Sequence, residues 1–129
     1  MKISNLFIVN TIVAVGYGIA FVLIPVTVLS IYGISQDSGA ILMGRFFGGA
    51  LISIGLITWF ARNSGESEAR GAIMLGLFIS FFVSLIVSIH GTVSGAMSAF
   101  GWTAVIIYLF FILGYGYFLF LNREAVTTM

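Results

Sequence analysis

Residues 71–89 read GAIMLGLFISFFVSLIVSI, a run with no charged residue in it. As a helix rising about 1.5 Å per residue it covers about 28 Å, close to the roughly 30 Å hydrocarbon core of a bilayer. Apolar and polar residues do not alternate along it, as they do in the roughly ten-residue strands of a membrane β-barrel. A backbone crossing lipid must satisfy its own N–H and C=O groups, and a helix does so within one segment.

Three further runs of the same kind lie at 6–31, 40–59 and 100–121. The connections at 32–39, 61–70 and 90–99 carry Gly, Ser, Asn, Asp and Glu, which is loop chemistry. The whole chain is 60% hydrophobic and 7% charged, with a mean hydropathy of +1.20. That is too apolar for a soluble domain, which needs a charged surface. The expected architecture is one all-α domain, 1–129, an integral membrane four-helix bundle. There is no cysteine, which excludes disulfides, thiolate nucleophiles and Cys-ligated metal. His90 is the single histidine and builds no metal site without carboxylates. A net charge of +1 gives no basic field for nucleic acid. Lys2 followed by an apolar run resembles a signal peptide, but the run is too long and has no clear cleavage site. It is read as a retained span.

The cations set an orientation. Four spans put Lys2, Arg62, Arg70 and Arg123 on one side, and the other two loops hold no Lys or Arg. The positive-inside rule then places both termini and the second loop in the cytoplasm, with the protein in the inner (plasma) membrane. Glu66, Glu68 and Glu124 share that side. Trp59, Trp102 and Tyr32 fall where interfacial anchors belong.

Pro25 removes a backbone hydrogen bond and crowds the Phe21 carbonyl, so the outer part of the first span should bend. The bend reads as a simple kink, with local unwinding that bares carbonyls as the alternative. Small residues mark the helix-packing faces: Gly44, Gly48 and Gly55 in the second span, and Gly76, Ser80, Ser84 and Ser88 in the third. Such stripes allow close backbone approach. They serve either packing within the bundle or association with another copy or another membrane subunit. The fourth span carries Tyr108, Phe111, Tyr115 and Phe118 on one face. That face packs into the bundle or offers a flat surface for a pigment, quinone or lipid; no cofactor is required by the sequence.

Arg45 is the one ionisable residue set inside a span rather than near its end. A charge at mid-membrane costs about 2.5–3.5 kcal/mol on insertion scales, less near the interface. Arg45 lies about one and a half turns below the outer end of its helix, with Asp37 and His90 on the same side. Pairing with Asp37 is one account; an anion or headgroup site formed by Arg45, Asp37 and His90 is the sharper one. No Asp or Glu lies within a span, which separates the chain from small multidrug exporters of similar size that need a membrane glutamate.

The layout, with Met43-Gly44-Arg45-Phe46-Phe47-Gly48-Gly49 in one span and Gly101-Trp102 opening the last, resembles short four-helix bacterial membrane proteins of the DoxX-like group. The resemblance covers the whole chain and implies the four-helix fold. It assigns no catalytic residue. The expected function is non-enzymatic: a membrane protein in contact with lipid, acting through helix association as a homo-oligomer or an accessory subunit. The alternative is a carrier, channel or binder for a small anionic or amphipathic ligand at Arg45.

Overall fold

The structure, a computed structural model, describes residues 2–121. It is helical throughout: α1 (Ile3–Leu23), α2 (Pro25–Ile31), α3 (Ser38–Ala61), α4 (Glu68–Val93) and α5 (Gly101–Gly116), the last continued by a π-helical turn at Tyr117–Leu121. Among the described residues four helices are long and apolar enough to cross a membrane: Ile3–Leu23, Ser38–Ala61, Glu68–Val93 and Gly101–Leu121. The expected all-α four-helix bundle is the architecture found.

Polar caps set several boundaries. The Asp37 carboxylate accepts from the Ala40 N–H at 2.8 Å, so α3 starts ahead of the apolar run. That hydrogen bond and the one from the Ser35 hydroxyl hold the Asp37 carboxyl below its ordinary range. Ser67 accepts from the Arg70 N–H and starts α4 before residue 71. The helix then runs through His90 to Val93, one turn beyond the expected end.

The first span is broken, not merely bent. Ile24 leaves helical geometry at φ −131°, ψ 54°, and Pro25 opens α2 as its first residue, where a missing N–H costs nothing. Ile24 N–H still reaches the Ala20 carbonyl, and the next backbone bond across the break is Val28 N–H to Ile24 C=O. The carbonyls of Phe21, Val22 and Leu23 fall in the gap.

The helices pack as two pairs, α1 on α3 and α4 on α5. The first pair meets along a glycine seam. A Cβ at Gly48 would lie 2.7 Å from the Gly18 carbonyl oxygen, and one at Gly18 would lie 2.8 Å from the Gly48 oxygen. Gly55 faces Val15 with no room for a methyl group. Backbones this close leave little but dispersion and short polar bonds to hold them. The bonds are present: Thr11 Oγ1 lies 2.8 Å from Thr58 Oγ1 and donates to the Gly55 carbonyl. The small residues of α3 thus serve packing inside the chain. Gly76 and Ser80 of α4 face outward, and nothing lies within 4 Å of a Cβ at Gly76.

The pairs join most firmly at the Lys2 end. Leu6 and Phe7 of α1, Met74 and Phe81 of α4, and Phe111, Tyr115 and Phe118 at the α5 end form one buried cluster. Phe81 stacks on Phe111 at 5.3 Å and on Tyr115 at 6.2 Å. Asn10 donates to the Tyr115 hydroxyl at 2.7 Å, linking α1 to α5. Three of the four aromatic-stripe residues are therefore buried within the bundle, and Tyr108 is half-buried above them.

At the opposite end α2 packs against α1 and α3. Ser98 ties the 94–100 loop to it, donating its N–H to the Tyr32 carbonyl and its hydroxyl to the Ile31 carbonyl. Tyr32 is buried, its ring edge-on to Phe100, which corrects its expected role as a surface anchor. Trp59 and Trp102 are exposed, and the Arg62 guanidinium sits 3.5 Å above the Trp59 ring. Lys2, Arg62 and Arg70 gather at one end of the bundle; Arg70 is buried there and donates to the Ser64 carbonyl. Arg123 and Glu124 lie outside the described residues.

Candidate functional site: a cavity between the helix pairs

The two pairs diverge toward the α2 end and enclose a cavity of about 560 Å³. That is within the range of about 300–1,000 Å³ usual for sites holding one small molecule. Val13, Ala14, Tyr17 and Phe21 of α1 form one wall, with Gly44, Leu51 and Ile54 of α3 beside them. Ser84 and Ser88 of α4 and Ala104, Ile107 and Tyr108 of α5 form the other. Asn10, Phe81 and Phe111 make the floor, above the buried cluster; Leu29, Tyr32, Ile34 and Met97 make the roof.

The cavity opens sideways. Met43 and Phe47 of α3 and Val83 and Val87 of α4 line it, yet they are 62%, 43%, 57% and 63% exposed. The two helices follow one another in the chain but do not pack along each other. The mouth therefore lies between two apolar spans, at the depth of the hydrocarbon in any bilayer they cross.

Among the described residues no Asp, Glu, Lys, Arg or His lines the cavity. Its polar groups are one amide and five hydroxyls: Asn10, Tyr17, Tyr32, Ser84, Ser88 and Tyr108. The Tyr32 hydroxyl donates to Tyr17 at 3.2 Å, and Ser84 stands beside the Tyr108 hydroxyl. Burial, then the bond to Tyr17, raises Tyr32 above its ordinary pKa of 10, so it stays a neutral donor. Such a wall binds apolar matter and orients it with neutral hydrogen bonds; it stabilises no full charge.

Residues 8–128 match a family described as a domain of unknown function (DUF8292). The chain belongs to the DUF8292 family. No curated protein and no solved structure matches it.

In this DUF8292 protein Arg45, Asp37 and His90, the ionisable residues singled out by sequence, lie away from the cavity wall. Arg45 is exposed and its Nε donates to the Val22 carbonyl at 3.3 Å. Val22 is one of the three carbonyls left in the gap at Pro25, so the span's cation answers the break in the neighbouring helix. Asp37 caps α3 and accepts from Ser35; among the described residues no ion pair joins it to Arg45. His90 is exposed on α4. Among the described residues no cluster of His, Cys, Asp or Glu could hold a metal. Of the stripes, Gly44, Ser84, Ser88, Tyr108 and Phe111 do reach the cavity.

Removing the Arg45 head while keeping its stem, as in Arg45→Met, should cost about 1 kcal/mol of stability through the lost bond to Val22. Thermal unfolding in detergent would show a shift of a few degrees, with cavity occupancy unchanged. Loss of occupancy without loss of stability would give Arg45 a ligand role instead.

Proposed function

We propose that this DUF8292 protein is a non-catalytic membrane protein that binds an amphipathic, lipid-like molecule between its helix pairs and exchanges it with the bilayer through the α3–α4 mouth. The observation that supports this reading is a ligand-sized apolar cavity whose opening is walled by exposed apolar side chains. A water-soluble anion would meet no charged side chain among the described lining residues there. Tyr108 and Phe111 offer aromatic faces to a pigment, quinone or lipid in the cavity. Lys2, Arg62 and Arg70 at one end favour an orientation with that end cytoplasmic, in the plasma membrane.

The test uses the cysteine-free chain. Cysteines introduced by F47C on α3 and V83C on α4 both line the mouth, and a bifunctional thiol reagent long enough to span it would bridge them. Protein purified in mild detergent should carry an apolar molecule, read by mass spectrometry of its extract. Bridging before a delipidating wash should retain that molecule at least tenfold better. Equal loss from bridged and unbridged protein would overturn lateral access; an empty extract from protein never delipidated would count against the binder.

Association with a second helix is a further reading, favoured by one observation: Gly76 and Ser80 form an exposed small-residue face that no helix among the described residues covers.

A further inference from the structure

The binder reading leaves the head group of the occupant open, and two side chains of α1 narrow it. Asn10 is 1% exposed and lines the cavity floor. One end of its amide engages Tyr115; whichever way the amide is turned, its other end bonds no described residue and is left to the cavity. Tyr17 shares one hydrogen bond with Tyr32. Tyr32 is the donor in it, so the O–H of Tyr17 is unspent, and Tyr17 has no other bond among the described residues. Asn10 and Tyr17 are seven residues apart, two helical turns, so both lie on one face of α1 about 10.5 Å apart along its axis.

An unsatisfied polar group in an apolar enclosure is costly, and here two stand in one line against walls that carry no charge. Resting on the binder reading, we propose that the occupant is an uncharged, oxygen-bearing lipid, an alcohol, ketone or quinone-type molecule, whose oxygen is held by Tyr17 or Asn10. A phosphate, sulfate or ammonium head would have to shed its water with no counter-charge to meet it. A pure hydrocarbon would leave both α1 groups unspent. The recognition therefore discriminates in both directions: against charge by desolvation, and against hydrocarbon by the lost hydrogen bond.

Three probes sharing one chain length separate these terms: 1-hexadecanol, hexadecane and hexadecyl sulfate. Each is offered at equal mole fraction to the full chain in a non-ionic detergent, and adducts are read by native mass spectrometry. The alcohol should bind about five- to tenfold better than the hydrocarbon, the worth of one hydrogen bond, and the sulfate should bind least. Tyr17→Phe and Asn10→Leu together should bring the alcohol down to the hydrocarbon's level. Asn10→Leu also strips Tyr115 of its partner, so Tyr115→Phe serves as the control; it breaks the same bond, keeps Asn10, and should keep the preference. If the Asn10 variant does not fold, Tyr17→Phe alone should still weaken the alcohol at least twofold and leave hexadecane unmoved. Sulfate binding as tightly as alcohol would overturn the neutral-head inference while leaving the binder reading intact. An alcohol preference untouched by either substitution would overturn the assignment to Tyr17 and Asn10. Absence of binding by all three probes would remove the binder reading and the inference with it.

Discussion

Gly48→Leu should unfold the α1–α3 pair. A Cβ at Gly48 would sit 2.7 Å from the Gly18 carbonyl oxygen and 2.9 Å from Phe21 Cβ and Val22 Cγ2. The first obstacle is backbone and cannot rotate away. The leucine must force the helices apart, which separates Thr11 from Thr58 and Gly55 from Val15 as well. Overpacking a close-packed site costs about 1–3 kcal/mol, and spreading a backbone seam belongs at or above the top of that range. The expected result is a fall in thermal midpoint of ten degrees or more in detergent, or failure to yield folded protein. Gly76→Leu, where a Cβ meets open space, should leave that midpoint within a degree or two. Equal effects at the two sites would mean that the seam is not what holds the pair. A change in migration on a native gel for Gly76→Leu alone would mark contact between copies.

The second large effect is expected inside the cavity. Ser84 sits on the α4 wall beside Tyr108. Ser84→Phe adds a ring to the wall of a space of about 560 Å³. It also removes one of the few hydroxyls there. Stability should hold or rise slightly, because apolar area is buried where a gap was. Binding of a single-chain lipid should fall at least a hundredfold, since a ring in place of the ligand excludes it sterically. Native mass spectrometry of wild-type and Ser84→Phe protein side by side would check both halves. Undiminished binding in a stable Ser84→Phe protein would place the ligand elsewhere.

The helices were legible because hydrophobic run length is a property of the chain itself. The runs at 40–59, 71–89 and 100–121 match α3, α4 and the α5 span, and the early starts of α3 and α4 trace to caps: Asp37 and Ser67 recruit polar residues into the first turns. Pro25 was legible as a disturbance. Whether its helix bends or breaks depends on what meets the freed carbonyls, and that partner, Arg45, comes from another span. The glycines of α3 were legible as a packing face, though not as the face that α1 covers. The cavity could not be read at all. It belongs to the divergence of two helix pairs, and no residue type marks a space. Asn10, a buried amide within an apolar span, is the lining residue whose type stands out most in its run, yet an amide there is a weaker mark in a sequence than the charge of Arg45.

The Arg45–Val22 bond has a bearing on how the chain is made. Taken singly, the first span carries backbone carbonyls with no donor at its Pro25 break, and the second carries a guanidinium in apolar surroundings. Each is a liability for a lone helix moving from the insertion machinery into lipid, and each is relieved by the other. The six residues between Ile31 and Ser38 let the second helix fold back at once. The first two spans are thus suited to leave the translocon together, as a hairpin already closed on its own polar contact.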